Sequence, residues 1–195
     1  MAEYTITKRH GEYTEEDYLA LPQERRVELI DGVIYDMAAP TYIHQAAADV
    51  ICQCFAEYIR KQHGLCRTFT APVDVQLDCD DRTIVQPDVM IVCDRSKFRE
   101  GRICGAPDLI VEVLSPATSK KDRTLKLGKY KRAGVREYWL VDTDKKRVLV
   151  YNLENGDAPA IYGFSDAVPV GIFGDECKVD FKDVDAWIGF MYDTM

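Results

Sequence analysis

Two acidic residues, Asp88 and Glu112, have the strongest potential for chemistry, because each lies in or beside an apolar stretch of the chain. Asp88 follows Pro87 within IVQPDVMIVCD, and Glu112 interrupts the apolar run of APDLIVEVLSP. The apolar residues on both sides of Glu112 predict a strand that is covered on both faces. A carboxylate in such a strand is destabilising unless it is paired or binds a cation. Glu112 therefore needs a partner.

Hairpin geometry offers Asp88 as that partner. If the two strands run antiparallel around a loop centred near Glu100, Asp88 lies directly opposite Glu112, since both are equally far from residue 100. Directly opposed carboxylates repel each other unless something positive lies between them. Mg²⁺ suits this position, because it binds oxygen ligands and commonly uses one or two protein carboxylates with waters and substrate phosphates. The alternative is that Asp88 caps the strand start and Glu112 pairs with an arginine.

A basic helix is predicted directly after the Glu112 strand, over ATSKKDRTLKLGKYKRAG. Asp122, Lys126 and Tyr130 are spaced four residues apart and share one helix face. Lys126 lies at the edge of the inward apolar stripe, from where its ammonium group could orient a water or stabilise charge developing on a phosphate. The alternative is a solvated helical lysine.

These segments resemble the Uma-two family of endonucleases, a branch of the PD-(D/E)xK restriction-endonuclease-like superfamily. The resemblance covers roughly residues 15–151 and is carried by Pro87-Asp88, VEVLSPAT, DRTLKLGKYKRAGVREYWLVD, RRVELIDGVIYDM and His44. It implies an α/β fold with a restriction-endonuclease-like central mixed β-sheet flanked by α-helices. It also implies a magnesium-dependent endonuclease that hydrolyses DNA phosphodiester bonds, with manganese as a substitute metal.

The resemblance assigns roles to individual residues. Asp88 and Glu112 become metal ligands, helped by the backbone carbonyl of Val113. The superfamily usually carries a lysine two residues after the second acidic residue, but Leu114 occupies that position here. The resemblance implies that this lysine has moved to Lys126.

Two further residues match the family pattern, Glu28 and His44. Glu28 alternates with apolar neighbours in VELIDGVIYDM, a predicted hairpin around Asp31-Gly32, and the resemblance places it beside the metal or on a second metal. A solvent-facing strand glutamate is the alternative. His44 lies in the first turn of a helix predicted over residues 41–62, where a surface or capping role competes with catalysis.

Charge is distributed unevenly along the chain. The net charge of −8 would repel a polyanion as a whole, yet residues 117–137 carry eight lysines and arginines against two acidic residues. A second basic stretch lies at residues 95–102. We predict DNA as the partner, with phosphates bound by these basic segments. The alternative is an ordinary solvated face. The predicted phosphate-binding residues are Arg95, Lys97, Arg99, Arg102, Lys120, Lys121, Arg123 and Lys129.

The whole chain is predicted to be one domain over residues 1–195, with a core at about 15–151 and a C-terminal β extension at 152–195. It has neither a membrane span nor a signal peptide pattern. Of its seven cysteines, Cys52, Cys54, Cys93 and Cys104 lie in or beside apolar segments and are expected to be buried, reduced thiols in a cytoplasmic protein. A homodimer is left open. A catalytically silent nuclease-fold module that binds nucleic acid or protein is the alternative to the enzyme.

Overall fold

The fold was taken from a computed structural model that describes residues 8–22, 24–77, 80–99, 101–156 and 158–192. The helices are α1 (Glu15–Leu19), α2 (Tyr42–Lys61), α3 (Ser119–Lys121), α4 (Leu127–Ala133) and α5 (Phe181–Tyr192). The strands are β1 (Val27–Ile30), β2 (Val33–Asp36), β3 (Arg67–Thr70), β4 (Val75–Gln76), β5 (Ile84–Val85), β6 (Val89–Val92), β7 (Phe98–Arg99), β8 (Arg102–Cys104), β9 (Leu109–Val113), β10 (Glu137–Asp142), β11 (Arg147–Asn152), β12 (Ala160–Gly163), β13 (Ala167–Pro169) and β14 (Lys178–Asp180).

A mixed six-stranded sheet lies at the centre, in the order β12-β11-β10-β9-β6-β3. Strands β9 and β10 run parallel, and the other neighbours are antiparallel. Every residue of β9 and β10 is buried, as the apolar runs predict for strands covered on both faces. The predicted α/β fold with a mixed sheet is confirmed.

Strands β6 and β9 pair in the predicted antiparallel register. Val89 lies opposite Val111, and Met90 lies opposite Ile110, so the pairing is centred on residue 100 as expected. The register prediction is confirmed, and its continuation by one residue brings Asp88 opposite Glu112.

The second six-stranded sheet has the order β2-β1-β5-β4-β8-β7. Its β1–β2 hairpin turns at Asp31 and Gly32, whose φ angles of 50° and 74° are the positive pair that a type I′ turn requires. A Cβ at Gly32 would lie 2.7 Å from the Gly11 carbonyl oxygen, so glycine is needed there for space as well. The predicted hairpin is confirmed.

Helices cover the central sheet and divide its core in two. On one face α2 and α5 pack together over the sheet, with the Phe55 ring 5.6 Å from Trp139 in an edge-on contact. On the other face Tyr130 of α4 lies edge-on to Tyr138 at 5.0 Å. Aromatic pairs of this geometry stabilise a core beyond their burial alone. Strand β12 of the predicted C-terminal extension continues the same sheet.

One expectation about the cysteines is wrong. Cys66 and Cys93 form a disulfide, because they lie opposite each other just beyond the Arg67–Val92 pair of β3 and β6. The prediction of reduced thiols therefore fails for Cys93. Among the described residues, no helix is long and apolar enough to cross a membrane.

Candidate active site

Asp88 lies at the start of β6, held against the end of β9. Its Oδ2 accepts a hydrogen bond from the Val113 backbone N–H at 2.8 Å, one residue beyond Glu112. The same oxygen is 3.1 Å from Nε2 of His44. The sheet register thus brings the two predicted metal ligands to one end of the neighbouring strands β6 and β9.

Lys126 reaches back over that end of the sheet. Its Nζ donates to Oε1 of Glu112 at 2.8 Å and to Oε1 of Glu28 at 2.7 Å. The side chain is 4% exposed, so the alternative of a solvated helical lysine is wrong. Tyr130, one turn further along, donates its hydroxyl to the same Glu112 oxygen at 2.7 Å. The alternative that pairs Glu112 with an arginine also fails, because its cationic partner is Lys126.

The helix that carries Lys126 contains a π-helical turn over Asp122–Lys126, between α3 and α4. The sequence predicts one continuous α-helix here. A π-turn is wider than an α-turn, and such turns are frequent at functional sites. This turn buries both Asp122 and Lys126 on the inner side, with Asp122 Oδ1 at 3.9 Å from the lysine Nζ. That carboxylate oxygen has no hydrogen-bond partner among the described residues.

Glu28 is fully buried, because β1 is covered on both faces. The solvent-facing alternative is therefore wrong. Its Oε2 accepts from Lys121 at 2.7 Å, and its Oε1 accepts from Lys126 and from the Gln86 backbone N–H at 3.2 Å. Both oxygens are thus occupied by donors of the protein. The predicted role of Glu28 beside the metal or on a second metal stays a prediction.

The charged groups shift one another's protonation. Burial raises the pKa of Glu112 well above its ordinary value, and the nearby Asp88 carboxylate adds to the effect while Lys126 opposes it. Burial acts in the same direction on Glu28, but the ammonium groups of Lys126 and Lys121 outweigh it and lower the pKa of Glu28. Although burial lowers the pKa of Lys126, its carboxylate partners raise it overall. Lys126 therefore stays protonated and can act only as a donor.

His44 enters the site from the first turn of α2. Thr41 caps this helix by accepting the His44 backbone N–H at 3.2 Å, and the imidazole points toward Asp88. Burial lowers the pKa of His44, but hydrogen bonds to the Asp88 carboxylate and the Val113 carbonyl raise it overall. Because the Asp88 carboxylate can only accept, the imidazole Nε2–H is the hydrogen-bond donor of this pair.

The carboxylates and lysines open into one cavity of about 620 Å³, which is lined by Glu28, Asp88, Glu112, Asp122, Lys121 and Lys126 among others. The structure brings together five predicted site residues here, Glu28, His44, Asp88, Glu112 and Lys126. It adds Tyr130, whose role the sequence does not predict although its spacing from Lys126 places it on the same helix face.

The donor set fits a hard divalent cation. Carboxylates line the cavity together with Lys126 and Lys121, and burial favours keeping a proton on Glu112 rather than a charge. A cation can take the place of that proton, because metal binding releases protons from its ligands. Among the described residues there is no group of three His, Cys, Asp or Glu in metal-holding geometry. The fit therefore needs Asp88, Glu112 and the Val113 carbonyl with waters or substrate oxygens, which is a common arrangement for Mg²⁺.

Several predicted phosphate-binding residues are engaged within the protein. Lys129 is 6% exposed, and its Nζ is 2.7 Å from an Asp31 carboxylate oxygen, so its charge has a partner within the protein. Lys121 is 17% exposed, and its Nζ is 2.7 Å from Glu28. The remaining engaged residues are Lys97 on the Ala106 carbonyl at 2.7 Å, Arg102 on Glu15, and Arg123 on Asp142 at 3.3 Å.

Three of the predicted phosphate-binding residues are exposed: Arg95, Arg99 and Lys120. The described residues of the second basic stretch, 95–99 and 101–102, form a 3-10 turn, β7 and the start of β8, and none of these residues lines the cavity. The phosphate-binding role of these residues stays a prediction.

Comparisons with known proteins show which class of protein shares this fold. The fold matches the crystal structure of "a putative nuclease belonging to DUF820" from Anabaena variabilis with a TM-score of 0.75 and 25% identity, over 90% of this chain and 98% of that one. A relative from Synechocystis sp., the uncharacterized protein slr1290, is 26% identical over 170 residues, which is 85% of this chain and 88% of the relative. Fold and site together define a nuclease-like α/β protein.

The family follows from the sequence match. Residues 15–169 match the family described as "Uma2: Putative restriction endonuclease". This match spans most of the chain, so the protein belongs to the Uma2 family. The resemblance that the sequence indicates is confirmed.

Proposed function

We propose that the protein is a metal-dependent endonuclease that hydrolyses DNA phosphodiester bonds at the cavity. The observation that carries the proposal is the position of Lys126, whose ammonium group is buried between Glu28 and Glu112 beside Asp88. Burying a lysine among carboxylates costs free energy of desolvation. Perturbed charged groups in a cavity are typical of functional sites. Membership of the Uma2 family supports the nuclease class.

Each residue has a distinct part in the reaction. Asp88, Glu112 and the Val113 carbonyl would hold Mg²⁺ or Mn²⁺, which when bound polarises the phosphate and lowers the pKa of a bound water. Lys126 remains protonated and donates a hydrogen bond to the attacking water or to a phosphate oxygen that gains charge.

Other residues keep this arrangement in place. Glu28 fixes the direction of the Lys126 ammonium group through its 2.7 Å contact and holds Lys121 at the same distance. Tyr130 orients Glu112 by donating to its Oε1. His44 donates to Asp88 and so keeps that carboxylate turned toward Val113.

Cleavage of plasmid and of single-stranded DNA tests the proposal, with Mg²⁺, with Mn²⁺ and with a chelator. We expect cutting only with metal, and loss of cutting in Asp88→Asn. Asp36→Asn is the matched control, because Asp36 lines the same cavity but is 69% exposed and pairs with Arg25 instead. Full activity of Asp88→Asn would overturn the proposal.

A catalytically silent module that binds nucleic acid or protein remains the second candidate. It is favoured by the saturation of Glu112 Oε1, which already accepts from both Lys126 and Tyr130. DNA binding without cutting under every metal condition would decide for this module.

A further inference from the structure

The cavity is lined by two chemically different sets of residues. One set is the cluster of carboxylates and lysines around Lys126. The other, which we call the apolar wall, comes from loops that follow β2, β3 and β9, from the start of α2 and from the end of α5. It consists of Pro40, Tyr42, Pro72, Leu114, Pro116 and Tyr192.

The apolar wall has no charged side chain that could bind a phosphate. The tyrosine rings offer flat aromatic surface on which a nucleobase stacks regardless of its identity, and the proline and leucine side chains add apolar surface around them. A cavity of about 620 Å³ is in the size range of small-molecule sites, which are mostly apolar with a few placed polar groups. The space therefore suits a nucleotide, with its phosphate at the cluster and its base on the wall.

The positive charge at the cavity is too limited to follow a duplex backbone. Lys121 and Lys126 are both bound to Glu28, and among the described residues Arg26 is the remaining lysine or arginine that lines the cavity. Arg26 is also unusual, because its buried Nε has no hydrogen-bond partner among those residues. Duplex binding depends on many phosphate contacts, whereas one bound nucleotide needs only a few.

We propose that the apolar wall binds a nucleobase, and that the substrate is therefore an unpaired DNA strand whose base enters the cavity beside the scissile phosphate. The proposal rests on the phosphodiester hydrolysis proposed above. A base inside a duplex is stacked and paired, so it reaches a pocket only if it is flipped out or already single-stranded. The free strand avoids that cost. Overhangs, gaps and single-stranded tails are accordingly the structures that the cavity accepts.

Tyr42 is the residue of the wall best placed for stacking. It is 53% exposed at the start of α2, and the cap of that helix is made by the side chain of Thr41, so truncating Tyr42 leaves the cap intact. Phe190 is a matched control, since it is an aromatic residue of α5 that is 80% exposed and does not line the cavity.

The test measures binding in chelator, by fluorescence anisotropy, so that it does not depend on cleavage. The probes are a labelled thymidine hexamer, an abasic oligomer with the same number of phosphates, and a blunt duplex that is long enough to stay paired. We expect the hexamer to bind about tenfold more tightly than the abasic probe, which is within the effect of one stacked base. Tyr42→Ala should remove this difference, Tyr42→Phe should keep it, and Phe190→Ala should leave it unchanged.

Equal binding of the hexamer and the abasic probe would overturn the inference, as would duplex binding as tight as that of the hexamer, or no binding to any probe. The outcome is separable from that of the proposed function. Base-dependent binding without metal-dependent cutting would support the nucleobase site on the apolar wall and contradict the proposed hydrolysis. Metal-dependent cutting with equal affinity for the hexamer and the abasic probe would support the hydrolysis and contradict the nucleobase site.

Discussion

At the level of single residues, Lys126 is the group on which the site depends. Its ammonium lies between two buried carboxylates, and its position one helical turn before Tyr130 lets both side chains donate to Glu112. Removing one partner of a buried ion pair typically costs about 3–5 kcal/mol, because the remaining charge is left uncompensated. Lys126 is therefore expected to matter for stability as well as for catalysis.

We predict that Lys126→Met abolishes cleavage, because the ammonium donor at the reacting phosphate is lost. Lys129→Met is the matched control, since Lys129 is buried on the same helical segment but pairs with Asp31, which is 55% exposed and outside the cavity. Cleavage rates and urea unfolding of both variants check this. Equal losses of cleavage in two folded variants would reduce Lys126 to a structural lysine.

The raised pKa of Glu112 predicts that Glu112→Gln gains stability relative to the wild type in a pH-dependent way. Because its folded-state pKa is raised by burial, ionisation of Glu112 costs folding free energy as the pH rises through that pKa. Glu112→Gln removes this cost while its amide oxygen still accepts from Tyr130. We expect the metal-free variant to gain stability over the wild type as the pH rises above 4.5, the ordinary pKa of glutamate. Thermal unfolding of both proteins in chelator measures it, and a difference that is constant with pH would contradict the assignment.

At the level of elements, the π-helical turn at Asp122–Lys126 allows two lysines to reach one glutamate. In an α-helix, residues five apart are rotated by about 140° around the axis, so Lys121 and Lys126 would face different directions. Inserting one alanine after Thr124, which is exposed, should therefore turn Lys121 away from Lys126 so that both cannot contact Glu28. We predict a folded protein with little or no cleavage, checked by circular dichroism and the nuclease assay.

Thr124→Ala is the control for that insertion. It removes the 2.7 Å hydrogen bond from the Thr124 hydroxyl to the Lys120 carbonyl but keeps the number of residues in the turn. Activity in the control together with loss in the insertion variant would assign the effect to the geometry of the turn. Full activity of the insertion variant would show that this geometry is not needed.

Strand pairing is the part of the site that the sequence predicts best. The position of Asp88 opposite Glu112 follows from counting residues about the loop, because an antiparallel register fixes every later pair once its centre is known. The four-residue spacing likewise places Lys126 and Tyr130 on one face.

The rest depends on tertiary contacts that no local pattern carries. Lys121 and Lys129 look like surface lysines in the sequence, yet Glu28 and Asp31 of a distant hairpin bind them. The π-turn has no sequence signature that separates it from an α-helix. The Cys66–Cys93 disulfide depends on the β3–β6 register, for which we make no prediction from the sequence.

At the level of the whole molecule, the net charge of −8 makes any DNA binding local. The exposed basic residues Arg95, Arg99 and Lys120 are the predicted phosphate contacts outside the cavity. For single-stranded DNA, log K against log salt has a slope of about −0.7 per phosphate contact. Replacing all three by alanine should flatten the slope by up to about 2.

Lys178 and Lys182 provide the control for this salt dependence, because both are exposed on the C-terminal elements β14 and α5. Replacing them by alanine changes the net charge but should leave the slope unchanged. The same slope in all three proteins would identify the basic segments as an ordinary solvated face.

We propose above all that Asp88 and Glu112 hold a metal ion, and that phosphodiester cleavage needs both this metal ion and Lys126. The most direct test compares the wild type with Glu112→Gln on single-stranded DNA, each with Mg²⁺ and with chelator, after circular dichroism has shown both to be folded. We predict cut DNA only for the wild type with Mg²⁺, and equal DNA binding by the two proteins in chelator. Cutting by Glu112→Gln, or binding by both proteins with no cutting at all, would contradict the account.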